Sequence, residues 1–185
     1  MLDRRDMLSL SILAGAATAA PSVAATLAGG DPGHDFDFLI GSWRVKHRRL
    51  KERLTGSNDW QEFDGRCVMQ PVLGGVGNID DNWLDIPGGA YRAVTLRSYD
   101  PKTRLWAIWW LDGRNPHTLD VPVKGSFENG LGTFFADDTL RGQPVKLRFL
   151  WSAITATSAE WRQALSADGG KTWETNWIMH FARVT

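Results

Sequence analysis

From residue 42 onward, apolar and polar side chains alternate in short runs, and turn residues punctuate the runs at even intervals. A period of two sends neighbouring side chains to opposite faces of a strand. The pattern predicts strands at 42–50, 60–70, 78–86, 90–99, 104–112, 121–128, 132–137, 144–152, 159–166 and 172–184. Few windows hold a helical period. The best is HRRLKERL, where Leu50 and Leu54 are four apart and Thr55-Gly56 offers a stop. The end of the first strand is therefore open between strand and helical turn. Many short, evenly spaced strands imply an all-β antiparallel sandwich or barrel of roughly ten strands, not βαβ units. No repeat or linker divides the chain.

Two hairpins can be read in register. Pro101-Lys102 suits the centre of a tight turn, and pairing Asp100 with Thr103 sets Leu96 against Ala107 and Val94 against Trp109. With Leu105 and Leu111 these form one apolar face. The other face carries Tyr99, Arg97, Thr95, Trp106, Ile108 and Trp110, with Arg97 opposite Trp106 as a candidate cation–π pair. Such an amphipathic face is a wet exterior, a cavity wall or a partner surface. In the second hairpin Asp168-Gly169-Gly170 fits a three-residue loop. It sets Leu165 against Trp173, Gln163 against Thr175 and Trp161 against Trp177, with the tryptophans on one face. His180 falls on the opposite face. In the preceding strand Val145, Leu147, Phe149 and Trp151 share a face that Arg148 avoids.

Composition sharpens this. The 185 residues suit one domain, and 10 tryptophans supply an unusual share of large apolar area. Lys plus Arg and Asp plus Glu are equal at 21 each, which speaks against nucleic-acid binding. A lone Cys67 excludes an intramolecular disulfide and a Cys-based zinc site, and reads as a small apolar strand residue.

The first residues read as an address. Arg4-Arg5, a mildly apolar stretch over residues 7–20, Pro21 and the small residues Ala24 and Ala25 have the parts of an export signal over residues 1–25, with RRDML resembling the twin-arginine motif. The apolar run is short for a membrane span. The expected location is the periplasm or outside the cell. Residues 26–34 read as a flexible lead-in and 35–185 as the folded domain.

Catalytic signatures are missing. LGGVGNIDDNW lacks dinucleotide spacing and reads as a turn or bulge. The adjacent carboxylates Asp80-Asp81 and Asp137-Asp138 point to opposite faces of a strand, so neither pair converges on one metal. The four histidines show no metal spacing. The run RVKHRRLKER puts Arg44, Lys46 and Arg48 on one face and Trp43, Val45, His47 and Arg49 on the other. Buried without partners, His47 and Arg49 would be costly. Either the strand runs from an apolar base to the polar mouth of a cavity, or the chain turns helical near His47 and solvates both.

FDFLIGSWRV resembles the start of lipocalin-like barrels, where a Gly-x-Trp, here Gly41 and Trp43, opens the first strand and closes the base. PGGAYRAVTLRSYDP, WAIWWLDGR, RFLWS and SADGGKTWETNW complete a resemblance to lipocalin-like bacterial proteins grouped as a domain of unknown function. The resemblance implies a calycin-type antiparallel barrel and no particular activity. The haem-binding nitrobindin barrel is a related thought: its iron ligand is a histidine near the C-terminus, and WIMHFARV offers His180, though the Gly-x-Trp-x-Gly-x-Gly start is absent. The leading expectation is binding of a small amphipathic molecule, with an inward arginine favouring an anion, and no cofactor. Trp43, Trp151, Trp161 and Trp177 would supply apolar area, and His47, Arg49 and Gln163 orientation. The alternatives are an isomerase, cyclase or lyase with His47 as general base, and a homodimer through Trp106, Ile108 and Trp110.

Overall fold

Ten antiparallel strands close into one barrel in the order β1-β10-β9-β8-β7-β6-β5-β4-β3-β2, the calycin-like architecture that the spacing and the Gly-x-Trp start imply. The computed structural model describes residues 30–185; the export signal read at residues 1–25 and the start of the lead-in lie outside the described residues. The strands are β1 Gly41–Leu50, β2 Trp60–Val72, β3 Gly77–Leu84, β4 Tyr91–Asp100, β5 Leu105–Asp112, β6 Val123–Glu128, β7 Leu131–Leu140, β8 Gln143–Ser152, β9 Ser158–Ser166 and β10 Glu174–Arg183. Closure leaves each strand with a neighbour on both sides, so no long edge is exposed along most of the wall. The ambiguity near His47 resolves as strand: β1 continues to Leu50 and alternates buried and exposed side chains.

The base is a built plug. Pro32–His34, at the end of the lead-in, and Asp37–Leu39, at the start of the folded domain, form two short 3-10 turns, and the Trp106 indole donates to the Pro32 carbonyl at 2.9 Å. They drive Phe36 into the barrel, edge-on to Trp106 and Phe127 at 5.0 and 4.9 Å and against Phe134 and Trp151. Trp43 donates its indole N–H to the Leu39 carbonyl at 2.7 Å. Arg183, near the end of the last strand, lies 4.2 Å over the Trp43 ring and donates to the carbonyls of Phe38, Ile40 and Ala156. That arginine ties β10 to the N-terminal turns through groups that would otherwise go unpaired at a buried end.

Both hairpin registers differ from expectation. Residues 101–104 make a longer turn, so Leu96 meets Trp109 and Val94 meets Leu111, two residues from the predicted pairing. A shift of two preserves the faces. The amphipathic face is the interior: Thr95, Arg97, Tyr99, Trp106 and Ile108 are buried. The more apolar face, with Val94, Leu96, Trp109 and Leu111, is the half-buried outer wall. A dimer surface made of Trp106 and Ile108 is therefore corrected, because both side chains lie inside the barrel, and Trp110 lines its cavity. Arg97 stacks over Phe36 at 5.2 Å rather than on Trp106. In the β9–β10 hairpin a bulge between Thr175 and Trp177 shifts the register, so Trp177 meets Gln163 and Trp161 meets Met179. The bulge reverses the phase of β10. Trp161 and Trp177 point inward, while Trp173 packs outside against Phe135 and Arg148.

Candidate functional site

The tryptophans do not fill the barrel. A cavity of about 580 Å³ runs from the plugged base to the opposite rim. That falls within the size range of small-molecule sites. Its walls are aromatic and aliphatic: Trp110, Phe149, Trp161 and Trp177 with Leu147 and Met179. Antiparallel alternation places these side chains inward at successive heights on β5, β8, β9 and β10. Trp151 and Phe181 lie lower, against the plug, 5.3 Å apart by ring centroid.

Near the floor sits a buried ion pair. Asp80 on β3 accepts from the Arg97 guanidinium of β4 at 2.7 Å, and both side chains are almost inaccessible to solvent. Asp80 also accepts from the Asn82 amide and the Thr95 backbone N–H, and Arg97 donates to Asn78 at 3.1 Å. Spread over these partners, the pair leaves the floor polar without net charge. As the alternation requires, Asp81 faces outward, where it pairs with Arg92. Sequence reasoning read Asp80 only as half of an unconvergent carboxylate pair. Its partner Arg97 was visible on an amphipathic face, but nothing local assigned that face to the interior. Burial pushes the Cys67 thiol, also in the cavity wall, well above its usual pKa, with the Asp80 charge adding to the effect.

The rim is charged. Arg49 and Arg53 of β1 and its following loop line the cavity, and among the described residues neither has a carboxylate within ion-pair distance. Arg49 lies 4.5 Å over the Trp177 ring. Burial, and then the Arg49 charge, lowers the pKa of Arg53. Across the rim Asp112 is held low by hydrogen bonds from Arg114. Asp120 is raised by burial and by the neighbouring Asp138 and Asp112. Arg53, Arg114, Asp112 and Asp120 were missed in the sequence because each lies at or beyond a strand end, where alternation no longer assigns a direction.

The expected site residues therefore separate. Arg49, Trp151, Trp161, Gln163 and Trp177 line the cavity, whereas Trp43 and His47 do not. Trp43 belongs to the base seal. His47 is sealed into the wall, its ring stacked flat on Phe63 at 4.6 Å and its Nδ1 accepting the Trp177 indole N–H at 3.2 Å. Gly65, on β2 beside Val45, leaves room for the imidazole, since a Cβ there would clash with His47 Nε2. Burial, with the nearby Arg49 charge, lowers the His47 pKa to about 3. His47 does not line the cavity and its Nδ1 already accepts from the Trp177 indole, so the expectation of a general base in contact with a bound substrate is corrected on geometry. Gln163 donates its amide N–H to Asn176 at 2.8 Å. His180 points outward, largely exposed and 3.4 Å from Glu160, so it offers no ligand to a group inside the barrel.

No protein family and no curated protein matches the sequence. The fold does have solved relatives in shape: the chain is similar to an S-type phycobiliprotein lyase from Guillardia theta at a TM-score of 0.53, with 11% identity over 81% of this chain and 90% of that one. At that identity the likeness is one of fold, a lipocalin-like barrel.

Proposed function

We propose that the protein binds one small amphipathic, anionic molecule inside the barrel. The observation that carries this is the combination of an aromatic cavity of about 580 Å³ with Arg49 and Arg53 at its rim, neither of which, among the described residues, has a carboxylate within ion-pair distance. The apolar body would pack against Trp110, Phe149, Trp161 and Trp177. The anionic group would meet Arg49 and Arg53, whose planar donors suit a carboxylate or sulfonate. Gln163, its amide nitrogen held by Asn176, would present its carbonyl oxygen as an acceptor. The export signal read in residues 1–25 supports a site of action in the periplasm or outside the cell.

Two measurements test this. Titration with 8-anilinonaphthalene-1-sulfonate, an aromatic anion, should show saturable fluorescence at one site, and Arg49→Gln with Arg53→Gln should weaken it at least ~10-fold, since hydrogen bonds to charged groups contribute about 1.5–3 kcal/mol. Native mass spectrometry of protein from its own host should show a co-purifying small mass. Unsaturable fluorescence together with a bare protein mass would reject the reading.

A catalytic reading has one supporting observation, the lyase named in the structural likeness. In this chain it would rest on Asp120 at the rim, whose raised pKa suits proton transfer, rather than on His47.

A further inference from the structure

We infer that molecules reach the cavity through the side of the barrel, by a slot between the upper halves of β5 and β7, and not through the axial mouth. This rests on the reading of the interior as a binding cavity, and it names the site by which that cavity is loaded.

Both ends of the barrel carry specific contacts. The base holds the Phe36 plug. At the other end, residues 51–59, which join β1 to β2, are lashed across the rim. The Arg53 carbonyl accepts from the Arg141 guanidinium at 3.2 Å, and the Leu54 N–H donates to Glu174 at 2.7 Å. Arg141 lies in the β7–β8 turn and Glu174 at the start of β10, so the strap spans from the β1–β2 corner to the far side of the ring.

The wall is incomplete in one place. β6 is six residues long, and the strands beside it are longer. It pairs with β5 only over Trp106↔Gly125, Ala107↔Lys124 and Ile108↔Val123, and with β7 only up to Lys124↔Phe135. Beyond Ile108 of β5 and Phe135 of β7, the place of β6 is taken by residues 113–122, which continue no ladder to β7. Pro122 gives the reason: it lacks an N–H and sits where β6 would have to continue, so the strand starts after it.

Residues 113–122 lie along this slot and are tied to one side of it. Asp120 donates its backbone N–H to the Trp110 carbonyl at 3.0 Å, and Leu119 makes an isolated bridge to Leu111. Among the described residues no backbone hydrogen bond joins this segment to residues 136–140. The segment nonetheless lines the cavity through Leu119, Asp120 and Val121, and Asp138 and Leu140 line it from the other lip. Leu119 and Val121 are 57% and 63% exposed, although both share the phase of Val123, which is buried inside the barrel. Apolar side chains held in that phase but left in solvent are what a flap over an opening carries. The flap hinges along β5 and closes toward β7. Opening it breaks no strand ladder, whereas freeing the axial strap breaks the hydrogen bonds from Arg141 to the Arg53 carbonyl and from the Leu54 N–H to Glu174.

Access can be read without any native ligand. In a Cys67→Ala background, Leu147→Cys places a thiol on the cavity wall, and its rate of reaction with 5,5′-dithiobis(2-nitrobenzoate) reports entry. Loosening the flap with Leu119→Gly and Val121→Gly should accelerate labelling at least ~5-fold, and a bulky Val121→Trp should slow it. Freeing the strap with Arg141→Ala and Glu174→Ala should change it less than ~2-fold. Circular dichroism checks that each variant is folded. Faster labelling in the strap variant with no change in the flap variants would overturn the slot and make the mouth the entrance. No labelling in any variant, or equal rates in all, would overturn it as well. Since no ligand is used, failure here leaves the dye titration standing, and failure of the titration leaves the route standing.

Discussion

Acid should weaken this fold through one residue, His47. Its side chain is enclosed by Phe63, Trp177 and Gly65, and burial lowers its pKa from 6.5 to about 3. In the unfolded chain the same imidazole takes up a proton near its ordinary value. Between those two values the unfolded state holds more protons than the folded one, so stability falls as the pH falls. The sign is fixed by the direction of the shift: the neutral form is the one that folds, and its contribution is complete above the unfolded pKa. From about pH 7.5 to about pH 4.5 the linkage amounts to roughly 2.5 kcal/mol, at 1.36 kcal/mol per unit. With a urea slope of about 1–3 kcal/mol per molar, the unfolding midpoint should drop by about 0.8–2.5 M over that range. His47→Asn tests the assignment, because it keeps an acceptor near the Trp177 indole and has nothing to titrate. It should be less stable than the parent at neutral pH, through lost stacking on Phe63. Its stability should fall less than the parent's, by roughly 2.5 kcal/mol, over the same range. Parallel pH profiles for parent and variant would refute the burial argument.

Two further outcomes follow from the core and the base. Asp80→Ala strands the Arg97 guanidinium inside the barrel and should cost about 3–5 kcal/mol in chemical denaturation, whereas Asp80→Leu combined with Arg97→Met should recover most of it; equal losses for both would mean that packing, not charge, dominates there. Arg183→Ala removes three carbonyl contacts and the stacking on Trp43, and should cost about 2–4 kcal/mol while speeding amide exchange at residues 36–40. Unchanged exchange at those amides would show that the plug holds itself.

The expected strands all appear, within a few residues at their ends, because each is bounded by turn residues and carries its own alternation. The exclusion of a metal role for paired neighbours also needed only the geometry of a strand, and Asp80 and Asp81 do point apart. What alternation could not supply was direction. On β4 and β5 both faces are apolar enough to be buried, and the less apolar one lies inside, where Arg97 finds Asp80 from β3, while valine, leucine and tryptophan are left half-exposed on the outer wall. Nor could alternation foresee the Asn176 bulge, which moved Trp173 outside. His47 and Arg49 share a face in β1, yet one is locked in the wall and the other lines the cavity. That difference depends on Phe63, Gly65 and Trp177, which come from other strands.

The sequence by itself determined the strand set and the antiparallel class, because these follow from local periodicity and turn residues, while the place of Trp43 at the base was implied by the resemblance of its Gly-x-Trp start and the Phe36 plug was not foreseen. The tertiary structure alone decided that the barrel is hollow, that Asp80 finds Arg97, and that β6 starts only after Pro122 and pairs with three residues of β5. Those outcomes depend on side chains meeting across strands far apart in the chain, where volume and charge must balance in three dimensions rather than along one.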